Sequence, residues 1–298
     1  MELHILISVV VCTYNRCDDL QWVLQSLILQ DYPVSDFEIL VVDNNSKDST
    51  KDVVSKFKQV RYILEEKIGL SHARNRGIKE SRGAIIAFID DDAGADKSWL
   101  SKLYKVYREE KDVGCVGGQV ILDWHTDKPS WWLPELNTSL SGVDYAQERT
   151  RVSYPRYPYG TNISYKTDVL KVVGSFGTEL GRKGSKLLAG EETELCLRME
   201  KKGYKIFYEP EAIVFHRVES SRLTKSYIRK RAYWHGRSHA LLELRHYGQA
   251  HVLENANRYF KIFCKWLAKM NYPLTEQKQH LFSLGYIVQS LLIRSKLA

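Results

Sequence analysis

Ala84-Ile85-Ile86-Ala87-Phe88-Ile89-Asp90-Asp91-Asp92 is an unbroken apolar run that ends in three carboxylates. Six apolar residues without polar alternation suit a strand covered on both faces, as in a parallel sheet with helices above and below. Open sheets of that kind bind ligands at the carboxyl ends of their strands, so the acids stand where a ligand would arrive. Three adjacent carboxylates repel one another, and a divalent cation is the usual remedy. The competing reading is a solvated acidic turn that caps the next helix.

Working outward from this run, the same grammar recurs. A first strand over 6–12 leads through Thr13-Tyr14-Asn15-Arg16 into a helix whose Leu20, Val23, Leu24, Leu27 and Ile28 make one apolar stripe, with Asp18 or Asp19 as its cap. A second strand over 37–42 ends in Asp43-Asn44-Asn45, followed by a helix over 46–57, a strand over 60–64 and a helix over 69–80. After the acidic triplet come a helix over 96–110 and a strand over 113–120. This β-α-β-α series predicts an α/β fold with a doubly wound, mostly parallel sheet flanked by helices. It also puts Asp43 and Asp90 to Asp92 on one rim.

The pattern breaks between Ile121 and Tyr159, where Trp124, Trp131, Trp132, four of the seven prolines and several tyrosines predict a long loop or lid. A strand over 160–165, a helix over 168–173, a glycine-rich basic loop over 176–186, a helix over 191–202 and strands over 205–208 and 212–216 follow. Three helices are expected beyond Leu223, over 224–247, 251–270 and 275–296. The expected organisation is a domain over 1–220, with halves at about 1–120 and 121–220, and a basic helical extension over 221–298.

Composition narrows the setting. The formal charge of +8 over 298 residues is concentrated at the end: from Arg217 onward there are 15 Lys or Arg against 4 Asp or Glu. Such a tail suits an anionic membrane surface or a phosphate-bearing substrate. A nucleic-acid partner is not expected, because the rest of the chain carries more acid than base and would repel phosphate. Five cysteines without a Cys-x-x-Cys pair predict neither a disulfide framework nor a zinc site and point to a reducing, cytoplasmic setting. Neither a signal peptide nor a membrane-spanning run is expected.

Six segments taken together carry a resemblance: Val11-Cys12-Thr13-Tyr14-Asn15-Arg16, Val41-Val42-Asp43-Asn44-Asn45-Ser46, Ala73-Arg74-Asn75-Arg76-Gly77, Asp90-Asp91-Asp92, Gly190-Glu191-Glu192-Thr193-Glu194-Leu195 and Val214-Phe215-His216. Their order resembles the family 2 glycosyltransferases of GT-A fold, over roughly the first 220 residues. The resemblance implies a nucleotide-diphosphate sugar donor, carrying UDP, GDP or dTDP, and a glycan or lipid-linked acceptor. Thr13, Tyr14, Arg16, Asp43, Asn45, Arg74, Asp90, Asp91 and Asn162 would then serve the donor.

A tyrosine past the first strand can stack on the base, an acid at Asp43 can accept from a base N–H or ribose hydroxyl, and a planar cation at Arg74 can meet the diphosphate or the donor sugar. Residues i and i+2 of an extended chain point the same way, so Asp90 and Asp92 can address one metal-bound pyrophosphate. The resemblance implies Mn2+ or Mg2+ at Asp92, with Asp90 as a further metal or hydroxyl contact, Asp91 on sugar or ribose hydroxyls, and His216 as a third ligand or merely a packed histidine. Glu192 matches the presumed base. The family usually shows Glu-Asp at the two positions that are Glu191 and Glu192 here, so either could reach the acceptor hydroxyl.

One base without a nucleophile implies a single displacement with inversion. Trp131, Trp132 and the tyrosines up to Tyr159 read as an aromatic sugar platform or as lid core. The basic stretch from Arg229 to Arg237 reads as a contact for a diphosphate or polyprenyl-phosphate acceptor, or as a solvated face. It lacks the Gln-x-x-Arg-Trp motif of processive synthases, which favours addition of one sugar. In the last helix, Leu281, Leu284, Val288, Leu291 and Leu292 form a stripe expected to pack on the domain, with a membrane surface as its alternative. The competing functions are a sugar-nucleotide pyrophosphorylase, for which the glycine-rich phosphate loop is missing, and an inactive glycan-binding or scaffolding relative.

Overall fold

In the computed structural model, which describes residues 6–184, 186–267 and 272–295, the central run forms a strand whose two faces serve two different cores. Ile85, Ala87 and Ile89 pack into one buried cluster with the helices Cys17–Ile28 (α1) and Trp99–Glu109 (α4). Ile86 and Phe88 pack into another with residues of Leu70–Glu80 (α3), Thr167–Val173 (α5) and Glu191–Lys201 (α6). Because side chains alternate along a strand, the absence of polar alternation is the direct record of helices on both sides.

The strands are β1 (Ile7–Thr13), β2 (Phe37–Asp43), β3 (Val60–Leu64), β4 (Ile85–Asp90), β5 (Ala93–Ala95), β6 (Val113–Asp123), β7 (Thr150–Val152), β8 (Asn162–Lys166) and β9 (Lys205–Arg217). They form one mixed sheet of order β3-β2-β1-β4-β8-β6-β9-β5, with β7 on β9. Its three longest ladders, β1 with β2, β1 with β4 and β6 with β9, are parallel, as is β2 with β3. The register sets Thr13 opposite Asp43 and Cys12 opposite Asp90, so the acids at the ends of β2 and β4 do share a rim.

Several expected boundaries move, each for a local reason. Helix α2 covers only Thr50–Ser55, because Asp48 first makes a turn by accepting from the Thr50 amide (3.1 Å) and hydroxyl (2.5 Å). Neither Asp18 nor Asp19 supplies the cap expected for α1; Arg16 holds the cap position, and the Cys17 amide donates to Asp48 Oδ2 at 3.0 Å. Between the triplet and α4 the short β5 pairs antiparallel with β9, setting Ala93 opposite His216. Strand β8 inserts antiparallel between β4 and β6. The two strands expected on either side of Pro210 are one strand, β9, whose register against β6 shifts between Gly118 and Val120. A bulge accommodates there a proline that cannot donate to a ladder.

By its contacts the chain divides into two units, the first comprising 1–123, 141–177 and 192–217 and the second 124–140, 178–191 and 218–298. The second is built on two helices, α7 (Lys225–Leu267, broken at Gly248) and α8 (Leu274–Ser295). Gly248 has φ 81° and ψ 176°, a conformation open to glycine. The predicted ends at Met270 and Lys296 lie outside the described residues.

The expected leucine stripe of α8 is only partly covered, with Leu281, Leu284 and Val288 half-buried. His280, Ser283, Gly285, Tyr286, Gln289, Ser290 and Ile293 are buried, whereas Leu291 and Leu292 are exposed. The reason is the closeness of the helix crossing. A Cβ on Gly285 would lie 1.9 Å from the Tyr233 carbonyl oxygen, and one on Gly236 1.9 Å from that of Phe282, so the small, polar face faces α7. Trp132 is buried and packs edge-on against Trp124 at 5.4 Å, with its indole N–H donated to Asn137 at 3.0 Å, in keeping with a packed loop core.

Candidate active site at the carboxyl rim of the sheet

Two loops at the ends of β1 and β2 are laced to each other. The Asn15 amide donates to Ser46 Oγ at 2.9 Å, and the Lys47 amide donates to Asn15 Oδ1 at 2.7 Å. Asn15 and Asn45 both take positive φ, 54° and 66°, which asparagine tolerates better than most residues. Between them Tyr14 is 46% exposed, leaving its ring available for stacking. Asp43 is buried beneath; its Oδ1 accepts from the Ser46 amide and its Oδ2 from the Tyr62 hydroxyl, both at 2.8 Å. Asn45 Oδ1 accepts from Lys47 Nζ at 2.9 Å, and Thr13 is buried at the end of β1.

The triplet itself divides. Asp90 Oδ2 accepts from the Thr161 hydroxyl at 2.7 Å, and its Oδ1 lies 3.6 Å from Arg74 Nη2. Asp92 Oδ1 is 3.2 Å from His216 Nε2, while Asp92 Oδ2 accepts a short hydrogen bond from Arg16. Asp91 Oδ1 is 3.7 Å from the same Arg16 nitrogen. Burial pushes the Asp91 carboxyl up to about 7 against the pull of Arg16, with Asp92 and Asp90 adding to the rise. A triplet that repels itself is thus held by two guanidinium groups, Arg16 and Arg74, and one imidazole.

Arg74 ties the rim to Glu192. Its Nη1 is 4.0 Å from Glu192 Oε2, and Glu192 Oε1 accepts from the Gly160 amide at 3.3 Å. The guanidinium lies 5.5 Å from the centre of the Phe176 ring, and a Cβ on Gly160 would stand 1.9 Å from Arg74 Nη2. Glycine at 160 is therefore what leaves room for the arginine. Glu191 is the first residue of α6, is buried, and is grouped with the second unit.

Asn162 stands apart from the donor residues with which it was grouped. Fully buried, its side chain donates to the carbonyls of Gln119 (2.9 Å) and Ala212 (2.8 Å) and accepts from the Trp99 indole (2.9 Å). With its donors and acceptor engaged, it fastens β8 to β6 and β9 beneath the rim. Thr161, in the turn just ahead of β8, is the member of the short polar step Gly160-Thr161-Asn162 that meets Asp90. Arg217 was also missed. It lies 3.8 Å over the Trp22 ring, 3.5 Å from Asp19, and its amide donates to the Asp92 carbonyl at 2.9 Å.

As a cation site the rim offers an oxygen from Asp92 beside a nitrogen from His216, whose Nδ1 is buried with no hydrogen-bond partner among the described residues. That donor pair suits a hard or borderline divalent ion. Among the described residues no three His, Cys, Asp or Glu side chains gather as a metal cage.

Comparison with known proteins places these features. The family model "Glycosyl transferase family 2" matches residues 8–173. A glucosyl-dolichyl phosphate glucuronosyltransferase of Haloferax volcanii is 33% identical over 257 residues, covering 84% of this chain and 81% of that protein. A dolichyl N-acetyl-alpha-D-glucosaminyl phosphate 3-beta-D-2,3-diacetamido-2,3-dideoxy-beta-D-glucuronosyltransferase of Methanococcus voltae is 26% identical, covering 75% of this chain and 68% of that one. Among solved structures, the mannosyltransferase PcManGT of Pyrobaculum calidifontis in complex with GDP-Man and Mn2+ aligns with a TM-score of 0.60 at 17% identity, over 98% of this chain and 75% of that one. That last likeness is one of fold.

Proposed function

This chain belongs to glycosyl transferase family 2 and is a glycosyltransferase; from that premise we propose that it moves one sugar, with inversion, from a nucleotide-diphosphate sugar to a lipid-linked acceptor in glycan assembly. The observation that carries the reading is the bridge made by Arg74, which lies 3.6 Å from Asp90 and 4.0 Å from Glu192. It brings a donor-side acid and the candidate base to one guanidinium.

The donor's base stacks on Tyr14 beside Asp43, with Thr13 and Asn45 bounding the same recess. Asp90 and Asp91 receive hydroxyls of the ribose or the sugar, and Arg74 meets the diphosphate. Glu192 accepts the proton of the acceptor hydroxyl as its oxygen bonds to the anomeric carbon and the bond to the diphosphate breaks. Glu191 is the second candidate for that proton. Asp92 and His216 would hold Mn2+ or Mg2+, which when bound supplies Lewis-acid neutralisation of charge on the departing nucleoside diphosphate. Dolichyl phosphate in the names of two relatives supports a polyprenyl-phosphate-linked acceptor.

Among the described residues no helix is long and apolar enough to cross a membrane. Exposed Leu291 and Leu292, 57% and 43% accessible on a strongly basic segment, support peripheral contact with an anionic membrane at its cytoplasmic face. The test is a thermal-shift screen of UDP, GDP and dTDP with Mn2+, followed by transfer assays with the matching sugar nucleotides. Stabilisation by one nucleotide and transfer to a polyprenyl-phosphate-linked sugar are expected. Indifference to all three nucleotides would overturn the reading.

A further inference from the structure

The two rim arginines are held differently. Arg74 is 4% exposed, seated against Gly160 and Phe176 and shared between Asp90 and Glu192. Arg16 comes from the loop ahead of α1, and its side chain is 22% exposed against 5% for Asp92 and 12% for Asp91. Its Nη1 serves both acids, closely at Asp92 Oδ2 and at 3.7 Å from Asp91 Oδ1. The other Asp92 oxygen faces His216 Nε2 at 3.2 Å, so each oxygen of this carboxylate already has a partner.

Now consider a divalent ion at the same place. It needs an Asp92 oxygen at roughly 2.0 to 2.1 Å, of which the guanidinium covers Oδ2, and it would add two positive charges beside a third in a nearly dry site, where charges are poorly screened. It also needs the lone pair on His216 Nε2, the nitrogen that now faces Asp92 Oδ1. Guanidinium and ion are therefore alternative occupants of one carboxylate. An incoming diphosphate is the group that can receive the guanidinium bidentately and draw it away.

We propose that Arg16 is an exchangeable counter-cation of the acidic rim: it occupies Asp92 until the donor's diphosphate takes it over, so that the divalent ion enters together with the donor and not before it. This rests on the glycosyltransferase reading and deepens it. Arg16 acts here through Asp92, by holding the carboxylate against early entry of the ion.

The measurement is Mn2+ binding to the full chain, followed by electron paramagnetic resonance without nucleotide, for the wild type, Arg16→Met, Arg16→Gln and Asp92→Asn. Both Arg16 variants are expected to bind Mn2+ about tenfold more tightly than the wild type, and Asp92→Asn to lose that binding. Two variants of different polarity guard against one that fails to fold, and a melting curve for each checks this. Equal or weaker Mn2+ binding in the folded Arg16 variants, with binding still dependent on Asp92, would overturn the exchange and leave the metal reading standing. No Mn2+ binding by any form, even with UDP, GDP or dTDP present, would overturn both.

Discussion

The same parallel strands end in charge at both extremities, and the two ends are built in opposite ways. At the amino end one buried acid, Glu38, stands opposite Ser8 across β1 and β2. It accepts from the Ser8 hydroxyl (2.7 Å), the Arg82 amide (2.8 Å) and Arg61 (2.5 Å). One acid, one guanidinium and two neutral donors leave nothing unbalanced. The carboxyl end gathers Asp90, Asp91, Asp92 and Glu192 around Arg16, Arg74 and His216, with Asp43 buried on the same rim. Negative charge there exceeds the cations that hold it, and one of those cations is partly open to solvent. Balanced charge makes a fastening; an excess of one sign makes a receptor for the other.

The largest expected difference between the ends follows from Asp92→Asn. Transfer should fall on the order of a thousandfold, while the melting temperature holds or rises as repulsion within the triplet is relieved; a rate within a factor of three of wild type would place the ion elsewhere. Next, Glu192→Gln should lower kcat by about a hundredfold to ten-thousandfold with little change in KM. Glu191→Gln measured alongside shows which of the two takes the proton.

Gly160→Ala should come third, with a loss of about a hundredfold, because the new methyl displaces Arg74 from both Asp90 and Glu192. A wild-type rate with Ala at this position would mean that the Arg74 bridge is dispensable. The smallest effect on rate belongs to the amino end and to Asn162. Glu38→Gln and Asn162→Ala should each lower stability by about 1 to 3 kcal/mol in chemical denaturation, yet leave turnover per folded molecule unchanged. A rate defect in Asn162→Ala would restore it to the donor site.

The first four strands and the shared acidic rim could be read directly from the sequence, since apolar runs such as Ile85 to Ile89 and Ile39 to Val42 suit buried strands that end in acids. What eluded reading was non-local. Strand β8 pairs antiparallel with β4 and β6, and nothing in Asn162–Lys166 records the direction of its neighbours. Pro210 looked like a terminus because the bulge that tolerates it belongs to the pairing with β6. In α8 the leucine periodicity marked a half-buried flank and not the closest face; the decisive quantity was interhelical distance, set by Gly236 and Gly285 from separate helices. At the site, the acids were visible because they cluster, whereas Thr161 and Arg217 act singly and across the sheet. Asn162 is fixed by three partners within the sheet, a use of asparagine that its sequence does not tell apart from sugar binding.

The lacing of the loops after β1 and β2 has a consequence for motion. The amides of Asn15, Cys17 and Lys47 are each donated to a side chain of the opposite loop, so neither loop can expose them to solvent without the other letting go. Their hydrogen exchange should therefore proceed as one cooperative opening, and a nucleotide that touches only the Tyr14 loop should slow exchange at Lys47 as well.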